Sequence, residues 1–364
     1  MTQGCDIVVV GGGPAGAHAA TRLAAAGREV VVLERSTGPH QKICGEFLSH
    51  EAIFYLNRLG IDPAAMGAVP IRSVALLRRG AQIAAPLPFA AASLSRLRLD
   101  EALLTAAAAA GAKVRRGCRV RAVRRAGAGW QVDDGGAGLA ARHLLLATGK
   151  HDLRGWRRPP GTQPDLIGFK QRFGGGPVTD RVELCLFDGG YCGIEPVEDG
   201  AINVSLLIRQ GHWARLGSWG ALWDHLLTSN PALARRMEGA VPLLPRPLSI
   251  AAIPYGHVRR RSAGAWHLGD QAAVIPSFAG DGIAMALHSG ALAARHLIGG
   301  DGPDRFQRAF AADVGGPVAR ATLISRMLAR PAAQGPLAGL ARRWPGLMTR
   351  IAASTRIPAD RLVV

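Results

Sequence analysis

Residues 5–35 read CDIVVVGGGPAGAHAATRLAAAGREVVVLER, and their order decides the fold. The apolar run Cys5 to Val10 predicts a strand buried on both faces. A glycine turn follows, then a helix from Pro14 to Ala26 and a second strand ending at Glu34. Gly11, Gly13 and Gly16 form a G-x-G-x-x-G turn, with glycines for the tight bend, for close backbone approach to a ligand and for helix-on-strand packing. Gly11, Gly13, Pro14, Ala15 and Gly16 thus place a helix N-terminus where its free N–H groups can meet a pyrophosphate. Glu34, eighteen residues beyond Gly16, falls where an acid accepts from an adenosine ribose, with Arg35 beside it. The pattern predicts a bound dinucleotide and does not by itself separate FAD from NAD.

At 364 residues and 48% apolar content, the chain has room for about two domains and a sizeable core. No apolar run reaches spanning length without charge, and the first strand starts too early for a signal peptide, so a cytoplasmic protein is expected. Cys5, Cys44, Cys118, Cys185 and Cys192 are odd in number and lack C-x-x-C spacing, which predicts reduced thiols and no metal site. The net charge is +18, almost all of it arginine, since only Lys42, Lys113, Lys150 and Lys170 are lysines. From Pro317 to Val364 there are eight arginines and one acid. Such a tail suits a membrane surface, an acidic acyl carrier protein, or the solvated face of a terminal helix. Nucleic acid is not expected, because no binding module or aromatic platform accompanies the charge.

Downstream, the pattern predicts helices from Leu48 to Leu59 and from Leu99 to Ala110. Strands are predicted near Ile71 to Arg78, Lys113 to Arg116, Arg119 to Arg125, Trp130 to Asp133 and His143 to Ala147. Between Pro164 and Pro254 the residues alternate, as in LIGFKQRF and AINVSLLI, which predicts an antiparallel sheet crossed by a helix from Trp213 to Thr228. The expected architecture is α/β: a Rossmann-like domain over 1–163 and 255–300, an inserted substrate-domain sheet over 164–254, and a helical segment over 301–364.

Three segments together, the glycine turn with Glu34, RLRLD from Arg96, and GDQAAVIPSFAGDGI from Gly269, resemble the glutathione-reductase-type flavoproteins of the para-hydroxybenzoate hydroxylase superfamily. KICGEFLS, GFKQRF, GGYCGIEPVEDGAIN and GDGIAMALHSG are most similar to its geranylgeranyl-reductase-like branch. The resemblance runs to about Ile298 and implies non-covalent FAD. It further implies that Lys42, Cys44, Gly45 and Glu46 pass along the flavin, that Arg96 reaches the pyrophosphate or ribityl chain, and that Val120 lies near the adenine. Gly269 and Asp270 then face the ribityl hydroxyls. Gly280, Gly282 and Ile283 open a helix whose N–H groups aim at the flavin edge that gains negative charge on reduction. Gly149-Lys150 replaces the Asp-Gly that hydroxylases carry near the flavin and nicotinamide.

No second G-x-G-x-x-G exists, so electrons come from transient NAD(P)H, a partner reductase or the substrate, with NAD(P)H the expected donor. The tryptophan-rich W-x-W-x-I-P of halogenases is missing at YCGIEP, which argues against halogenation. Prenyl reductases carry Y-x-W-x-F-P there; this chain keeps Tyr191 and Pro196 but has Gly193 and Glu195. The expectation is therefore an FAD monooxygenase that hydroxylates an aromatic or polyketide- or lipid-like secondary metabolite with NAD(P)H and oxygen, with an FAD-dependent reductase or dehydrogenase of a lipid-like isoprenoid chain as the alternative. Glu46, Lys170, Tyr191 and Glu195 are the candidates for proton handling on the pocket wall. His50 is read as a helix-cap neighbour.

Overall fold

The computed structural model describes residues 3–364. Among them the strands form a seven-stranded and a nine-stranded sheet. In the first, Gln3–Val10 lies between Val30–Leu33 and Leu139–Leu146, parallel to both. Ile7, Val8 and Val9 are completely buried, as expected of a parallel strand covered by helices. A Cβ on Gly16 would stand 2.0 Å from the Gly11 carbonyl oxygen, and one on Gly11 would stand 2.4 Å from that of Ala147. Gly11 also has φ 107°, so the first strand, the end of the strand Leu139–Leu146 and the helix Pro14–Ala25 can close on one another only through glycine. The helix Gly282–Ile298 packs against Pro14–Ala25, with Gly290 against the Ala15 carbonyl, and completes this layer.

The second sheet is mainly antiparallel. Leu166–Gly174, Ile202–Arg209, Gly190–Pro196 and Arg181–Phe187 lie side by side in that order. The sheet expected from 164–254 alone is larger than that, because Val69–Arg78 pairs parallel to Arg181–Phe187 and brings Ala81–Ser93 and Phe47–Leu48 with it. One face buries Ile194, Val204, Leu206 and Cys192 under helices. The other face carries Lys170, Asn203, Gly193 and Glu195 and meets the segment Cys44 to Glu46, through Asn203 to the Cys44 carbonyl and Lys170 to Glu46.

The helix expected from Trp213 to Thr228 is two helices, Gln210–Leu216 and Trp219–Ser229. Gly217 adopts φ 74° and ends the first, and the Ser218 hydroxyl accepts from the Ala221 N–H to start the second, the usual pairing of a left-handed stop with a hydroxyl cap. The helix expected from Leu99 begins at Arg96, because Ser95 caps it by accepting from the Arg98 N–H. The C-terminal segment is helical as expected, in Pro303–Leu328, Pro331–Arg343 and Gly346–Ser354. Among the described residues no helix is long and apolar enough to cross a membrane.

Candidate active site

A groove of about 640 Å³ opens at the carboxyl ends of the parallel strands, touching Val10, Leu33, Ala147 and Leu268, the ligand position that this topology favours. Of the residues expected to hold a cofactor, Gly11, Gly13, Pro14, Ala15, Glu34, Arg35, Lys42, Cys44, Arg96, Val120, Gly269, Asp270, Gly282 and Ile283 all line it. Gly16, Gly45 and Gly280 do not line it and shape it from behind. A Cβ on Gly282 would meet nothing within 4 Å, so the backbone at this helix N-terminus stands open for close approach. Gly280, at φ 68°, sits so near Phe47 that a Cβ would be 2.8 Å from the ring.

Glu34 is buried and accepts from the Gly12 N–H at 2.8 Å and from the Ser36 N–H at 3.0 Å. Burial alone would raise its pKa, but these N–H groups and Lys42 outweigh burial and hold it below the ordinary carboxylate range. An ionised acceptor is thereby set at the end of the second strand, where a ribose would lie. Arg96 donates to Asp100 at 2.6 and 2.8 Å, and its guanidinium lies 3.5 Å from where a Gly13 Cβ would be. The Asp100 carboxylate therefore holds it over the glycine turn, where the pyrophosphate would pass.

At the other end, Lys150 lies 3.6 Å from Asp270 and donates to the Ile43 carbonyl at 3.2 Å. The lysine of the unusual Gly149-Lys150 pair thus ties two walls of the groove together. Sequence reading missed Arg158, which is buried and donates to the Asp270 carbonyl, the Lys150 carbonyl and the Asp152 carboxylate at 2.6 to 2.9 Å. It also missed Arg356. This side chain pairs with buried Asp281 at 3.0 Å and donates to the Ala279 carbonyl, bracing the turn before the helix that starts at Gly282.

The four proton-handling candidates do not lie on the groove wall. Glu46 and Lys170 are completely buried and joined to each other at 2.5 Å; the same Glu46 oxygen also accepts from the Arg96 N–H. Tyr191 is buried in an apolar cluster with Leu186, Leu207 and Tyr255, and its hydroxyl is 3.4 Å from that of Ser277. Glu195 sits just behind the turn Cys44–Gly45, its Oε1 3.4 Å from where a Gly45 Cβ would stand. Asn203 links the two by donating to Glu195 at 3.0 Å and to the Cys44 carbonyl at 3.1 Å. Burial, with Glu46 adding to it, pushes the Glu195 carboxyl up to about 8 against the opposing pull of Asn203 and Lys170. It therefore carries its proton at neutral pH. Asn203 was legible in AINVSLLI: alternation puts it and Ser205 on the face opposite Val204 and Leu206, two polar residues aimed inward.

The residues present fit a flavin dinucleotide: an ionised acid for the ribose, a glycine turn beneath a held arginine, an acid at the ribityl position and an open helix N-terminus. Geometry of this kind defines a class, the FAD enzymes with a glycine-turn nucleotide fold and a sheet facing the flavin. The chain belongs to the FAD-dependent oxidoreductases of the para-hydroxybenzoate hydroxylase and geranylgeranyl-reductase-like superfamily. Residues 4–145 match the FAD binding domain family. The menaquinone reductase of Mycolicibacterium smegmatis is 30% identical over 323 residues, covering 82% of this chain and 78% of that protein. Digeranylgeranylglycerophospholipid reductase 2 of Methanopyrus kandleri is 28% identical, covering 79% and 75%. Among solved structures, the myxobacterial chondrochloren halogenase CndH superposes with a TM-score of 0.78 at 17% identity over 99% of this chain and 95% of that one. The flavin-dependent brominase Bmp2 gives 0.79 at 16% over 98% and 95%. These two likenesses show the shared fold alone.

Asp270 carries a direct test of the groove. Asp270→Ala should weaken FAD binding by about 1 to 3 kcal/mol, the scale of a lost charge-assisted hydrogen bond. Titration of the apoprotein with FAD, followed by flavin fluorescence, measures it. An unchanged affinity would remove Asp270 from the ribityl chain.

Proposed function

We propose that this chain is a reductase that adds hydrogen across a carbon–carbon double bond of an isoprenoid lipid, the alternative of the two chemistries considered above. Bound FAD in its reduced form would supply the hydride. The remaining requirement is a proton, delivered in a place dry enough that water does not compete. The feature that carries the reading is Glu195, a buried carboxylic acid whose pKa burial pushes up to about 8, with its Oε1 3.4 Å from where a Cβ on Gly45 would stand, beside Cys44 of the groove wall. Hydroxylation of a phenol asks instead for a free base, and Glu46 and Lys170 neutralise each other.

The shape of the sheet face supports the same conclusion. Glu195, Asn203 and Lys170 make a buried polar end, and Tyr191, Leu186 and Leu207, packed with Tyr255 and Val274, make a buried apolar end beside it, the sequence of surroundings that a reacting bond carried on a hydrocarbon chain would meet behind the groove. Both relatives are named as reductases of lipids that bear isoprenoid chains. The electron donor proposed is NAD(P)H bound transiently.

Incubation with menaquinone or a geranylgeranyl-chain lipid under labelled oxygen gas, and again without oxygen using dithionite as the electron source, separates the two chemistries. The expected product, after any quinol is reoxidised, has gained two hydrogens in the isoprenoid chain and no label, with or without oxygen. Product that forms only in oxygen and carries one labelled atom would instead establish the monooxygenase.

A further inference from the structure

We propose that the corner between the helices Pro331–Arg343 and Gly346–Ser354 is a docking surface for an anionic lipid bilayer. Between Asp313 and Asp360 the chain has no acidic residue and seven arginines. One of the seven, Arg356, is consumed internally by Asp281. The other six, at positions 320, 326, 330, 342, 343 and 350, are exposed.

Apolar side chains stand among them without cover. Trp344 is 58% exposed and Leu340 39%, and their spacing of four puts them on one side of the helix end. The Arg343 guanidinium lies 6.0 Å from the Trp344 ring centre. The chain leaves the first helix at Trp344, with φ −136° and ψ 81°, and Pro345 and Gly346 start the next, so the exposed Arg342, Arg343 and Trp344 sit together at the corner. A tryptophan flanked by arginines has its lowest free energy where acyl chains meet anionic headgroups, the ring in the boundary and the guanidinium groups among phosphates. Charge complementarity selects an anionic partner. The bilayer is favoured over an acidic protein because the exposed apolar groups are single side chains, Trp344 and Leu340, standing among exposed arginines, whereas a protein partner is usually met by a patch with a buried apolar centre.

The inner sides of the same helices face the substrate region. Leu337, Ala338 and Met348 pack on the cluster that holds Tyr191, Leu186 and Leu207. A bilayer bound at the corner therefore lies against the part of the molecule that covers the apolar end of the flavin-facing sheet. This inference goes beyond the reductase reading, and its test makes no use of the reaction.

The test is co-sedimentation of the FAD-loaded full chain with phosphatidylglycerol vesicles at low salt, beside phosphatidylcholine vesicles and an acyl carrier protein. Binding to the anionic vesicles is expected, with little to the neutral ones. R342E/R343E should weaken it at least about tenfold, from loss and reversal of two charges near the surface. Trp344→Ser should weaken it less, and both variants should keep their flavin spectrum. Trp344→Phe should abolish part of the blue shift in tryptophan emission that vesicles induce. Wild-type protein left in the supernatant at low salt would overturn the proposal, as would undiminished binding by R342E/R343E, or capture by the carrier protein without any affinity for vesicles.

Discussion

Lys170→Ala is expected to cost about 3 to 5 kcal/mol of stability, the range for removing one partner of a buried ion pair. Both Lys170 and Glu46 have no exposed side-chain surface, and the second Glu46 oxygen is buried without a hydrogen bond. Without the ammonium, the carboxylate keeps only the Arg96 N–H as a donor to its first oxygen. The loss also acts across layers. Lys170 belongs to the strand Leu166–Gly174, and Glu46 belongs to the segment that passes from the groove wall into Phe47–Leu48. Urea unfolding of the FAD-loaded protein measures the cost as a fall in midpoint at constant slope. The double variant Lys170→Met with Glu46→Gln should recover much of it, because neither side chain then leaves a lone charge behind. A loss below about 1 kcal/mol in the single variant would mean that water or local rearrangement satisfies Glu46, and the pair would lose its structural role.

That pair shows where sequence reading stops. Glu46 and Lys170 were both recognisable as candidates, but nothing in their separation of 124 residues says that they meet and cancel. The glycine turn was legible because its constraint is local: Gly16 and Gly11 are forced by contacts within a few residues or across one strand pair. The second sheet was legible only where alternation and short hairpins mark it. The parallel pairing of Val69–Arg78 with Arg181–Phe187 joins segments about a hundred residues apart, and no periodicity records such a neighbour. The break at Gly217 and the cap at Ser95 are local signals that the apolar pattern masked. Arg356 was hidden differently, since one arginine among the many in a basic tail looks like all the others until Asp281 is seen beside it.

Glu195→Gln should lower the rate of the reductive step about a hundredfold or more, the scale on which a positioned general acid contributes, while FAD affinity stays within a few-fold. The amide keeps the shape and the Asn203 contact but has no proton to give. In the wild type the active form is the protonated one, so the rate should hold through neutral pH and fall as pH rises through about 8. In the variant that alkaline limb should vanish. Stability follows the same titration. The folded-state pKa of about 8 lies above the ordinary value of 4.5, so the contribution of the protonated group is fully present below about 4.5 and is lost as pH rises through about 8. Glu195→Gln should therefore be the more stable protein at alkaline pH and differ little from wild type in acid, an outcome that depends on the titration alone and not on catalysis. A variant that loses activity yet keeps the alkaline limb would show that Glu195 only supports Cys44 and Gly45 through Asn203. The proton would then have to come from another group, and Tyr191, which burial holds above the ordinary tyrosine range at the apolar end of the same face, is the next donor to replace with phenylalanine.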